Sequence, residues 1–230
     1  RPSGGGQPFA ASFLLRKSLP QYSGVRAHSY MTKDLQMETS IAEAQRDMRT
    51  GYYSGATGIL ASALAWAASA TVALLHSPER AVWVLLIAGM LIFPVGLLLC
   101  RLLGASGAHS KGNPLGQLAG ASTFWLIFSL PLAYVVGLSN AAWFFSAMLL
   151  VIGGRYLVFA TIYGMRLYWV LGLALALAGV VLAWLRASPV FVVAAGSAIE
   201  FAFGFVAIVQ HRHWVRPNNS SKPTPLRGAA

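Results

Sequence analysis

Six apolar stretches, each close to twenty residues long, follow one another along this chain with only short breaks between them. They occupy residues 52–75, 81–103, 116–138, 141–164, 168–185 and 189–209. A hydrocarbon core of about 30 Å takes roughly 20 residues of helix to cross. Backbone exposed to lipid has to satisfy its own hydrogen bonds, so helices are the expected form. The breaks are turn-like: His76-Ser77-Pro78, residues 104–114, Ser139-Asn140 and Ala187-Ser188-Pro189. The expected fold is all-α, a polytopic membrane protein with six transmembrane helices and a short amphipathic N-terminal helix. Composition agrees. Of the 230 residues only 10% are charged and 57% are hydrophobic, where an ordinary soluble domain carries about 25% charged residues.

The formal net charge is +11, which would suit a nucleic-acid partner if the charge were gathered on one soluble face. It is not. Most Lys and Arg sit beside the apolar spans, so the expected partner is the lipid bilayer and no nucleic acid. Counting them in short connections sets orientation. One side would hold Arg46, Arg49, Arg101, Lys111, Arg166, Arg212, Arg216 and Lys222; the other holds only Arg80 and Arg186. That asymmetry predicts both termini in the cytoplasm. The lone cysteine, Cys100, excludes an intrachain disulfide and reads as a small buried hydrophobe.

Four regions follow: residues 1–30 as a leader, 31–50 as a cytoplasmic amphipathic helix, 51–210 as the six-helix membrane domain, and 211–230 as a basic tail without a fold. Residues 1–30 contain Arg1, Arg16, Lys17 and Arg26 and no acid. Such composition suits an organellar transit peptide; the plainer expectation is that translation starts at Met31. In the next segment Met37, Ile41, Ala44 and Met48 recur at helical spacing, and Ser40 with Glu43 has the form of a capping box. Four of the six acids lie there: Asp34, Glu38, Glu43 and Asp47. This helix either docks on the membrane or a partner, or is a short solvated lead-in, and its narrow stripe of Met and Ala favours the second.

Chemistry is concentrated at two residues. Arg155 in the fourth span and Glu200 in the sixth are the only deeply placed charges, and a charge near the bilayer centre normally faces the bundle interior and finds a partner. Gly196, Glu200 and Gly204 share one helical face, so Glu200 points at a neighbouring helix. Gly153 and Gly154 thin the fourth helix beside Arg155. The two charges lie at similar depth, and an ion pair between them is geometrically reasonable. Such a pair would serve either as a proton or ligand site, or only to pin two helices. In the fifth span Gly172, Ala176, Gly179 and Ala183 form a packing seam. Pro94 and Pro131 mark kinks.

Enzyme signatures are absent: the sequence has no GxSxG, HExxH, Walker A or GxGxxG. Glu200 is the only acid at membrane depth, which excludes a paired-carboxylate site there. His28, His76, His109, His211 and His213 all fall in expected tails or loops, and His211 with His213 reads as an interfacial basic cluster. No enzyme activity, cofactor or metal is expected.

Residues 153–172, GGRYLVFATIYGMRLYWVLG, resemble a signature segment in a family of small bacterial multi-spanning proteins of unknown function, with a weaker likeness from about Arg49 to Val209. The resemblance implies a six-helix fold in a bacterial inner membrane and singles out Gly154, Arg155, Tyr156, Tyr163, Gly164 and Trp169. It supplies no activity. Residues 216–230, RPNNSSKPTPLRGAA, resemble read-through of the recombination site that ends integron gene cassettes, which implies a mobile gene and an unfolded tail. The expected binding site is Arg155, Glu200, Tyr156 and Tyr163, acting on a small solute or a proton.

Overall fold

The computed structural model describes residues 40–220, with side chains as far as Arg216. The leader, the first part of the amphipathic segment with Met37, and the end of the cassette-like tail lie outside the described residues. Helix α1 is described over 40–51. A 3-10 turn, Tyr53–Gly55, leads into α2 (Ala56–Leu75), α3 (Pro78–Leu102), α4 (Pro114–Gly137), α5 (Ala141–Tyr163), α6 (Leu167–Trp184) and α7 (Pro189–Ser220). Helices α2 to α7 are each long and apolar enough to cross a membrane. Among the described residues there is no strand. The chain folds as the all-α, six-span protein that its hydropathy predicts.

The span boundaries are set by local chemistry. Ser77 caps α3 by accepting from the Arg80 amide at 3.3 Å, with Pro78 at the first helical position. Asn113 caps α4 through the Leu115 amide at 3.0 Å, again ahead of a proline. Asn140 caps α5 through the Ala142 amide at 2.8 Å, so the short Ser139-Asn140 break does divide two helices. Gly164, at φ +58°, closes α5 in the left-handed conformation that glycine adopts without penalty. Pro94 and Pro131 lie inside α3 and α4.

Around the bundle α2 packs on α3 and α7, α5 packs on α4 and α6, and α6 and α5 meet α7. The α5–α6 contact is a seam of touching backbones. A Cβ on Gly153 would stand 2.6 Å from the Gly172 carbonyl oxygen, and one on Gly179 would stand 2.7 Å from that of Ser146. Small residues thus replace side-chain packing with direct backbone approach, as the Gly172-Ala176-Gly179 stripe predicts. The buried core is carried by Trp66, Phe144, Phe145, Leu149, Tyr168, Leu171, Leu175, Val192 and Val193. Helices α3 and α4 are largely exposed; Phe93, Phe128 and Leu132 are about 70% accessible, as lipid-facing residues would be.

Two expectations differ from the structure. The basic tail expected from residue 211 is helical through Ser220, because Gln210 to Arg216 contain no breaker and His211 and Arg212 bond back to the bundle. The lead-in helix is also more than a solvated segment. Met48 is buried, Gln45 donates to the Thr161 carbonyl at 2.8 Å, and Arg49 donates to the carbonyls of Tyr163 and Gly164. Asp47 accepts from the Ser110 amide at 2.9 Å, the Ser110 hydroxyl at 3.0 Å and Asn113 at 2.8 Å. These bonds clamp α1 to the α3–α4 loop and to the end of α5, where unsatisfied helix carbonyls favour a cation. Of the expected stripe, Ile41 is exposed and Ala44 is half-buried.

Candidate functional site

Glu200 sits on α7 with no exposed surface. Its neighbours follow from the glycines that flank it. Gly196 lies against Trp66 of α2 and Leu149 of α5, and Gly204 lies against Leu60 and Ile59 of α2. The face therefore meets a helix, as its spacing predicts, and the helix it meets most closely is α2. One carboxylate oxygen, Oε1, accepts from the Tyr156 hydroxyl of α5 at 3.0 Å. The other, Oε2, has no hydrogen-bond partner. Ser62 of α2 lies beside the carboxyl, outside good hydrogen-bond geometry.

The expected ion pair is not formed: among the described residues no salt bridge joins Arg155 to Glu200. Arg155 turns the other way, donating from Nη2 to Thr123 Oγ1 of α4 at 2.9 Å and resting its guanidinium 5.1 Å from the centre of the Phe159 ring. Its Nε is buried without a partner. The reason is helical phase. Successive residues on a helix differ by about 100°, so Tyr156 faces α7 while its neighbour Arg155 faces α4. Tyr156 takes the role at Glu200 that Arg155 was expected to fill.

Tyr163 belongs to the same buried cluster without touching the carboxylate. Tyr156, Phe159, Tyr163 and Tyr168 form an aromatic block with ring centroids 5.2–6.1 Å apart, the closest being the stacked Tyr163–Tyr168 pair. Tyr168, from α6, donates its hydroxyl to the Ser54 carbonyl at 2.7 Å. Ser54 Oγ is bonded to His211 Nδ1 at 2.8 Å, and the His211 ring lies 3.9 Å from that of Tyr53. His211 was expected in a tail; it is instead a buried residue of α7, 6% exposed. Ser54, Tyr168 and His211 belong to this polar core and were not among the expected site residues.

Two cavities lie elsewhere on the bundle. A groove of about 540 Å³ runs between α4 and α5, lined by Trp125, Phe128, Leu132, Leu150 and Gly154 among others. A smaller one of about 240 Å³ lies at the far end beside Asn140, Trp143 and Arg186. Neither is lined by Glu200 or Tyr156.

A comparison with protein families matches residues 41–210, from α1 to the tenth residue before the end of α7, to a family of unknown function, DUF7010. The chain belongs to DUF7010. No curated protein and no solved structure matches it. The DUF7010 region takes in α2 to α6, most of α7, and all four expected site residues, and it ends one position before His211. Membership accords with an integral membrane protein and carries no activity with it.

Proposed function

We propose that this protein is a proton-linked membrane protein that moves or senses a small solute or a proton, with Glu200 as the group that gains and loses the proton. The observation that carries the reading is the half-satisfied carboxyl: fully buried, bonded at one oxygen to Tyr156 and open at the other. An isolated carboxylate in apolar surroundings is costly unless paired. The bundle bonds one hydroxyl to the carboxyl, that of Tyr156, and no cation pairs with it, so the carboxyl is left with a choice of states that a satisfied structural pair would not have. Arg155 stands one helical face away as a part-buried cation whose buried Nε is free to hold an anion. Orientation by the positive-inside count supports a bacterial inner membrane with both termini cytoplasmic, and the single acid at membrane depth argues against an enzyme. An accessory role carried by a mobile cassette would suit such a protein.

A second reading is favoured by the cavities, neither of which reaches Glu200: the Tyr156–Glu200 bond only pins α5 to α7. Infrared spectroscopy of the reconstituted protein separates the two. The protonated-carboxyl band lost in Glu200→Gln is expected to titrate with bulk pH. A band that stays constant across the accessible pH range overturns the proton-linked reading and leaves pinning.

A further inference from the structure

Glu200 and His211 stand on one face of α7. They are eleven residues apart, three helical turns with about 20° left over, which puts them some 16 Å apart along the axis. Between them on that face lie only Gly204 and Ala207, both buried, so the helix presents no bulky side chain along the interval. Gly204 takes Leu60 and Ile59 of α2 on its open side, and beside that contact α5, α6 and the 3-10 turn carry a series of hydroxyl-bearing groups: Tyr156 on the carboxyl, Tyr168 beside Tyr156 with ring centroids 6.0 Å apart, and Ser54 under the Tyr168 hydroxyl. His211 completes the series at the end of the bundle that carries α1.

Ser54 holds its place at a conformational cost. Tyr53, Ser54 and Gly55 adopt φ of +52°, +54° and +77°, three left-handed residues in succession, of which only glycine adopts that region freely. Backbone held this way persists when the surroundings over-determine it. Here the surroundings are the Tyr168 hydroxyl on the Ser54 carbonyl and His211 on the Ser54 hydroxyl. The turn places one hydroxyl between a tyrosine and a histidine.

We infer that Tyr156, Tyr168, Ser54 and His211 form the route by which a proton passes between Glu200 and the α1 end of the bundle, with His211 as the exchanging group at its mouth. The inference rests on the proton-linked reading of Glu200. The proton leaves the carboxyl for the Tyr156 oxygen as the Tyr156 hydroxyl proton moves on to Tyr168, and each hydroxyl gains one proton as it passes one on. The Tyr168 proton reaches Ser54 Oγ when that hydroxyl turns from the Ser54 carbonyl toward the side chain of the same residue. Ser54 donates to His211 Nδ1, and Nε2 releases a proton outward; no oxidant or co-reactant is needed. Two links, Glu200–Tyr156 and Ser54–His211, are made in this structure; Tyr156 and Tyr168 are neighbours with ring centroids 6.0 Å apart, and the Tyr168 hydroxyl is bonded to the carbonyl of Ser54, the residue that carries the next hydroxyl.

Around His211 stand Tyr53 of the turn, whose ring lies 3.9 Å away, Arg212 of α7, which bonds the Tyr53 hydroxyl, and Arg49 of α1, which rests on the Trp214 ring beside His211; against Glu200 stands Tyr156 of α5, with Arg155 of the same helix turned toward α4. No acid is among the groups around His211.

The test is hydrogen–deuterium exchange of the Glu200 carboxyl in sided proteoliposomes, read from the isotope shift of the infrared band that Glu200→Gln removes. In the wild-type protein exchange is expected to be fast when deuterated buffer is added on the α1 side. Tyr168→Phe and His211→Asn are expected to slow it at least about tenfold, since loss of a positioned proton carrier typically costs more than that. Ser54→Gly is the discriminating variant: it removes the hydroxyl yet suits the left-handed backbone, so slow exchange cannot be laid to a misfolded turn. Wild-type exchange that is fast and unaltered in all three variants overturns the route while leaving Glu200 a titrating site. No exchange in the wild-type protein from either side overturns the route and the proton-linked reading together.

Discussion

Double-mutant cycles on the buried polar groups test the central geometry. Tyr156→Phe removes the donor and Glu200→Met the acceptor of a 3.0 Å hydrogen bond, with little change in side-chain volume. Hydrogen bonds between membrane helices contribute about 0.6 kcal/mol on average and about 1.7 kcal/mol at most by such cycles. The expected Tyr156–Glu200 coupling is therefore about 0.6–1.7 kcal/mol, toward the upper end because the acceptor is a carboxyl with no exposed surface. Arg155→Gln breaks a different bond, the 2.9 Å contact to Thr123, and shares no hydrogen-bond partner with Glu200. Its effect and that of Glu200→Met should add to within about 0.5 kcal/mol. The assay is reversible unfolding in mixed micelles, wild type against the singles and both doubles. Coupling above about 1.5 kcal/mol between Arg155 and Glu200, with Tyr156 and Glu200 additive, would mean that the two charges pair after all, and the argument from helical phase would fall.

Further outcomes follow from the clamp and the seam. Gly153→Ala should destabilise by about 1–3 kcal/mol, since its Cβ meets backbone atoms of α6 that cannot rotate aside, whereas Gly154→Ala meets nothing within 4 Å and should be neutral or stabilising; thermal unfolding in detergent compares them. Burial works against the charge of Asp47, yet its bonds from Asn113 and Ser110 hold its pKa below the ordinary carboxylate value. Its contribution is thus present above the unfolded carboxylate pKa of about 3.9 and is lost as pH falls through the lower folded value. A nitroxide on Glu43→Cys, with Cys100 buried out of reach, should become mobile over that acidic window, and Asp47→Asn should be mobile already at neutral pH. An unchanged spectrum in Asp47→Asn would show that these bonds do not hold α1. Arg49→Gln removes the cation from the α5 carbonyls and should loosen the same label with a loss of about 1–2 kcal/mol; equal stability would dismiss the clamp.

The spans were legible because lipid imposes one rule on every residue within them, and a run of twenty apolar residues has few other uses. The Ser139-Asn140 break was legible for a local reason, since asparagine caps a helix with its own side chain. The partner of Glu200 was not. The fourth span is apolar on nearly every face, so its sequence fixes no rotation, and a shift of one position exchanges Arg155 for Tyr156. His211 was hidden in a stretch, Gln-His-Arg-His-Trp, that has the composition of an ordinary interfacial flank. Its signal was the eleven-residue interval to Glu200, which repeats the same helical face. The clamp on α1 depends on loop residues Ser110 and Asn113, whose meeting with Asp47 is a matter of tertiary distance.

The first span and the last lie side by side, and this sets an order on biosynthesis. Helix α2 leaves the translocon with Trp66 and Ser62 on the face that α7 will cover, and well over a hundred residues must be made before α7 emerges. Until then α2 has its hairpin mate α3 on one side and lipid on the other. The α5–α6 seam can close at once, from neighbours in the chain. Assembly thus proceeds from an early hairpin and an early three-helix unit to a late closure, and the insertion of Glu200 into its finished surroundings belongs to that last step. A ribosome stalled before α7 would hold the α2–α3 hairpin and the α4–α5–α6 unit, and a polar core that lacks Glu200 and His211.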